Sequence, residues 1–183
     1  MATTTVPNTF TQRVIGALAL DAAIYEEVEA DASATSQAFT VVLLSSVAAG
    51  IGSRGLGGTT WQGVLFITFV SLIAWVAWAL VVFEVGVRVL PQPQTRADMG
   101  QVLRTIGFAA APGLLRVLGV MSSATIPVFA VTSVWMLAAM VVGVRQALDF
   151  QSTSRAIAVC ALGWALAILI AVVIGLFFSP PVS

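Results

Sequence analysis

Five long apolar stretches, at about residues 35–52, 61–87, 102–121, 126–144 and 155–178, occupy most of this chain. A helix of about 20 apolar residues crosses the hydrocarbon core of a bilayer, and within lipid only helices or closed barrels satisfy every backbone polar group. No strand-like alternation is present, which disfavours a barrel. Only 9% of the residues are charged, against roughly a quarter in soluble domains. The predicted fold is therefore all-α: a polytopic membrane helix bundle of five transmembrane helices over 35–178, preceded by an N-terminal segment, 1–34, with an amphipathic helix, and followed by a short tail, 179–183.

Residues 8–31 carry Arg13, Asp21, Glu26, Glu27, Glu29 and Asp31, too many charges to cross lipid at a few kcal/mol each. Phe10, Val14, Leu18, Ala22, Tyr25 and Val28 recur at steps of three or four, the period of an amphipathic helix on the membrane surface or against the bundle. Its charged face is acidic, whereas lipid-surface helices are usually rich in Lys and Arg, so docking on protein is as good a reading as docking on lipid. Asp31, Ser33 or Thr35 is available to cap the first span. SRGLGGTT (53–60) is a turn, Trp61 opens the second span at an interface, and the prolines of LPQPQ (90–94) close it. Pro112 near the middle of the third span removes one helical hydrogen bond, so this segment is expected to kink or break. Pro127 fits the first turn of the fourth span, and the fifth stops before Pro180.

All basic residues are arginines. With the N-terminus in the cytoplasm, Arg13, Arg88, Arg96, Arg104, Arg145 and Arg155 lie inside and Arg54 and Arg116 outside, so the positive-inside rule favours N-in, C-out in the cell inner membrane. The opening MATTTVPNTF lacks the n- and h-regions of a signal peptide, so insertion is expected to rely on the first span.

The chain has no histidine and only Cys160, which excludes histidine ligation of haem or chlorophyll, an intrachain disulfide and a Ser-His or Cys-His nucleophile pair. Carboxylates are the only metal-ligand candidates, five of them between Asp21 and Asp31, where the readings are a hard-cation site or a solvated helix face. No catalytic residue, metal or cofactor is expected, and bound lipids are compatible with the apolar surface. Glu84 and Arg88 stand in the favourable order for an i,i+4 ion pair at a span end, although an intramembrane carboxylate also reads as a proton or ion site. Arg145 and Asp149 form a similar, reversed pair. Arg116, four residues past Pro112, either reaches headgroups or is a buried cation. Trp75, Trp78, Trp135 and Trp164 lie mid-span, packing in the bundle or lining a lipid or quinone groove. Small residues at four-residue steps (Ser46 and Gly50, Gly107 and Ala111, Ala139 and Gly143, then Ala167, Ala171 and Gly175) favour close helix packing.

The runs LRTIGFAAAPGLLRVLG (103–119), VWMLAAMVVGVRQALDF (134–150) and ALGWALAILI (161–170), with ALALDAAIYEEVEADASATSQA (17–38) before them, resemble the bacterial branch of the Yip-one domain family of five-span membrane proteins. The resemblance covers about residues 10–178 and rests on GFAAAP, VRQALD and the Gly-Trp pair in that order. It implies five helices and a cytoplasmic N-terminus. Eukaryotic relatives engage lipid-modified Rab-type GTPases and other membrane partners in vesicle traffic, but this chain lacks a long cytosolic N-terminal region, so GTPase binding is not carried over. No catalytic residue comes with the family. Gly107, Pro112, Arg145 and Asp149 fall on its motif positions and read as structural.

The expected function is a non-enzymatic membrane scaffold or adaptor, or an accessory subunit of a larger membrane complex, whose partners are membrane lipids, other integral proteins or a second copy, and not nucleic acid. The alternative is a small transporter or channel with a polar path through Pro112, Arg116 and Glu84. An intramembrane enzyme is the poorest reading, for want of a base or metal set.

Overall fold

Thr9 opens the first helix, α1 (Phe10–Leu18), with a capping box: its hydroxyl accepts from the Gln12 N–H while the Gln12 side chain accepts from the Thr9 N–H. The structure, a computed structural model, describes residues 7–56, 60–91, 93, 95 and 97–178, and the side chains of all of these except 167 and 170–178. The expectations for Arg96, for the small-residue stripe Ala167, Ala171 and Gly175, for residues 57–59 of the turn at 53–60, for residues 92 and 94 of LPQPQ, for the opening residues 1–6 and for the tail 179–183 lie outside that description.

The single amphipathic helix expected over 8–31 is two helices. Leu20 has a left-handed φ of 60°, and Asp21 accepts from the Ala23 N–H to start α2 (Ala22–Ala30). A residue with its own N-cap chemistry stands in the middle of an unbroken apolar period, and the cap prevails. The resulting hairpin turns its charged side inward at one point: Arg13, 2% exposed, lies between α1, α2 and the start of the next helix.

That helix, α3 (Ala34–Ser53), follows a turn in which Asp31 accepts from both the N–H and the hydroxyl of Ser33. Ser33 occupies the N-cap position without capping through its side chain. Thr60 caps α4 (Trp61–Glu84), which runs on into a π-helical turn, Val85–Val89, carrying Arg88. An Asp98–Gln101 capping box starts α5 (Met99–Ala109). Then the third apolar stretch breaks, continuing as a 3₁₀ segment, Ala111–Val120, with Pro112 in its first turn. The carbonyl of Ala110 at the break accepts from the Ser45 hydroxyl of α3 at 2.8 Å and from the Gly113 N–H at 2.9 Å. A neighbouring helix thus supplies the donor that a broken intramembrane helix needs. α6 (Thr125–Ala147) and α7 (Thr153–Phe178) complete the chain.

Among the described residues four helical segments, Ala34–Leu56, Trp61–Val89, Met99–Val120 and Thr125–Ala147, are long and apolar enough to cross a membrane, and Thr153–Leu166 is a shorter apolar helix. The protein is a helical, multi-pass membrane protein. The third segment is the axis of the bundle: more than half of it is buried, against less than a fifth of the second and fourth.

Two apolar clusters form the core. One joins α2 to the start of α3, the end of α5 and α6 through Tyr25, Val28, Ala38, Phe108 and Ala139. The other joins the end of α4 to α5, α6 and the start of α7 through Val82, Ile106, Val144, Leu148 and Val159. Both Trp75 and Met140 pack against each cluster. Close approach of α5 and α3 depends on Gly107, where a Cβ would stand 2.7 Å from the Cβ of Ala38.

Candidate functional site

Polar chemistry inside the bundle is gathered at two levels. At the hairpin end, the Arg13 guanidinium meets Asp31 at 2.7 Å, Glu27 at 2.9 Å and the Gln37 side-chain oxygen at 3.0 Å. Burial works against the charge on Arg13, and these partners outweigh it, so its pKa is raised. The Ser33 and Arg13 hydrogen bonds hold Asp31 down at about 2. Burial opposes ionisation of Glu27, but hydrogen bonds from Asn8 and Arg13 prevail and lower its pKa. Arg104 of α5, 7% exposed, donates to the carbonyls of Val28 and Glu29 at the C-terminal end of α2, where a cation also suits the helix dipole. The indole N–H of Trp135 donates to the Leu18 carbonyl at the end of α1. The hairpin is therefore docked on protein by side chains of the bundle.

The acidic residues that suggested a cation site are divided among different partners. Asp21 caps α2, Glu27 and Asp31 hold Arg13, Glu29 accepts from Gln101, and Glu26 accepts from Gln146. Among the described residues no group of three His, Cys, Asp or Glu is placed to hold a metal ion. Glu26, Glu29, Arg145 and Asp149 line an open cleft of about 250 Å³. Burial, with Asp149 and Glu26 nearby, pushes Glu29 up to about 7.

Arg145 donates to the Phe150 carbonyl and the Thr153 hydroxyl, tying the end of α6 to the start of α7. The reversed pair expected between Arg145 and Asp149 is not among the ion pairs of the described residues. Its i,i+4 geometry requires a continuous helix, and α6 ends at Ala147, with Asp149 at a φ of 51°. Glu84 and Arg88 do pair, at 3.0 Å, with Arg88 73% exposed.

At the far end, Arg116 projects from the 3₁₀ segment toward α6, donating to the Thr132 hydroxyl at 3.3 Å and the Ser133 hydroxyl at 2.9 Å, with its guanidinium 5.2 Å from the Phe129 ring centre. It borders a cavity of about 310 Å³ between α3, α4, α6 and the helix break, whose walls include Ser45, Trp75, Trp78, Met136 and Met140. Trp78 donates to the Met140 sulfur and meets Trp164 edge-on. The tryptophans at 75 and 78 thus both pack and line a groove. Their spacing in sequence was the visible signal, but the groove itself arises from the break at Ala110.

Glu84 is not part of this arrangement. Gly50 and Gly52 of α3 lie against Val64 and the Arg116 backbone, which places Arg116 near the level of Val64. Glu84 stands twenty residues further along the same helical segment, about 30 Å away at 1.5 Å per residue.

The Yip1 domain matches the chain over residues 21–174. No curated protein and no solved structure matches it.

Proposed function

Because this chain belongs to the Yip1 domain family, we propose that it is a non-enzymatic integral membrane scaffold or adaptor, or an accessory subunit of a larger membrane complex, that acts through helix packing and lipid contacts. The observation that carries this reading is the uneven burial of the bundle. The third segment is enclosed, whereas the apolar faces of α4 and α6 stay open, with Leu65, Phe66, Phe69, Ile126, Val131 and Val134 all more than 60% exposed. Such faces take lipid or another transmembrane helix, and small residues elsewhere let helices approach. The hairpin charges support the same reading, since Arg13 and Arg104 end on carboxylates and carbonyls within the chain.

On this proposal five helices cross the inner membrane, the fifth being α7, with the N-terminal hairpin in the cytoplasm and the C-terminus outside, as the arginine distribution favours. Purification from native membranes in mild detergent is expected to yield a stoichiometric partner or a defined homo-oligomer; a solitary monomer counts against the adaptor role. A reporter fused after Ser183 is expected to be extracytoplasmic.

The cavity beside Arg116 is the one feature that favours the transporter alternative. The separation of Glu84 from Arg116 leaves Pro112 and Arg116 without the third member of that path. Flux into liposomes that disappears in Arg116→Ala is the result that would restore it.

A further inference from the structure

The far-end cavity holds polar groups that the chain itself leaves unmatched. Arg116 is half-buried, and no carboxylate of the described residues lies within ion-pair distance of it. Of the five N–H donors of a guanidinium, the hydroxyls of Thr132 and Ser133 take one each. Thr132 is seven residues into α6 from Thr125, about 10 Å below the helix end, so the side chain is drawn into the bundle. Trp75 lines the same cavity with its ring, its indole N–H being buried away from it. Arg116 is a cation with N–H donors to spare, so a ligand matched to it brings acceptors and negative charge.

The rest of the wall is apolar. Trp78, Met136, Met140 and Ile106 continue from Arg116 toward the middle of the bundle. Polarisable methionines and flat indoles accommodate a flexible chain. The cavity volume is about 310 Å³, space for part of a single acyl chain, the rest of which lies along its open side. A carboxylate that ends a single chain brings its charge to Arg116 without carrying a second chain or glycerol into the cavity with it.

We propose that this cavity binds a long-chain fatty acid, its carboxylate paired with Arg116 and its acyl chain lying along Trp75, Trp78, Met136 and Met140. A carboxylate matches the planar guanidinium fork. The proposal goes beyond an adaptor role and does not depend on it.

Quenching of tryptophan emission by dibromostearic acid tests it, with the full chain in nanodiscs of zwitterionic phosphatidylcholine. Bromine in the cavity is expected to quench saturably, acting on two of the five tryptophans. Loss of one charge-assisted pair corresponds to about tenfold in affinity, so the methyl ester of the same acid and the Arg116→Gln protein should each bind about tenfold more weakly. Arg116→Lys should keep most of the affinity. Equal quenching by acid and ester, a response that never saturates, or displacement of the acid by phosphatidylglycerol as effectively as by stearate would overturn the proposal. If Arg116→Gln does not elute as a folded protein, the ratio of acid to ester on the native chain decides. Ser71 of α4 also lines the cavity, and Ser71→Phe, which fills it and leaves the charge in place, should then abolish quenching; quenching that survives it would place the acid elsewhere.

Discussion

At the hairpin end Arg13 and Arg104 meet two carboxylates and the last carbonyls of α2, whereas at the far end Arg116 meets two hydroxyls and a phenyl ring. The apolar clusters share this asymmetry. They gather around α2, α5 and the adjoining ends of α3, α4, α6 and α7, while the far half is opened by the helix break and its cavity. A cation whose partners are carboxylates holds elements together. A cation given only neutral partners is available to something outside the chain.

The sharpest way to break this comparison is to remove each charge. Arg13→Met leaves Glu27 and Asp31 facing an apolar side chain and frees the hairpin. Removing one partner of a buried pair costs 3–5 kcal/mol, but these carboxylates are 25% and 31% exposed, so a loss of about 2–4 kcal/mol is expected in a denaturant titration in micelles. Arg116→Met strands no carboxylate, and its cost should stay below about 1 kcal/mol. Equal losses for the two substitutions would erase the distinction.

Next in size is Gly107→Val, which pushes a branched side chain into Ala38 at the α3–α5 crossing. Overpacking of this kind costs about 1–3 kcal/mol, measured in the same titration. The hairpin end also carries a pH dependence that Arg116 does not impose on the far end. Glu29 ionises at its ordinary 4.5 when unfolded and near 7 when folded. Between these values the folded chain holds a proton that the unfolded chain has released, so its contribution to stability is fullest below 4.5 and falls as pH rises toward 7. Asp31 acts in the opposite sense, its contribution present above 3.8 and lost as pH falls toward 2. Amide exchange in α1 and α2 should therefore slow as pH falls from 7 to 5, after correction for intrinsic rates, and Glu29→Gln should flatten that trend. Smallest of all is Glu84→Gln, because its partner Arg88 is largely exposed; a change under about 0.5 kcal/mol is expected.

Much of the bundle is written locally. Apolar run length marks the long helices, Trp61 marks the start of the second and Pro112 marks the break. The misread places are those where local signals compete. Asp21 interrupts an apolar period that runs unbroken across it, and the helix end at Ala147 separates Arg145 from Asp149 despite their four-residue spacing. At the candidate site, Arg116 and the mid-span tryptophans were legible as unusual, but the cavity between them was not. It depends on Ser45, 65 residues from the Ala110 carbonyl it satisfies.

By itself the sequence determined that the chain is helical and membrane-bound, because apolar length and the obligation to bond the backbone in lipid leave few other solutions. It also removed imidazole chemistry, since no histidine is present. Only the tertiary structure decided which charges are matched. Arg13, Arg104 and Arg116 look alike as isolated arginines in a chain, and their difference lies in partners brought from other helices, which no periodicity encodes.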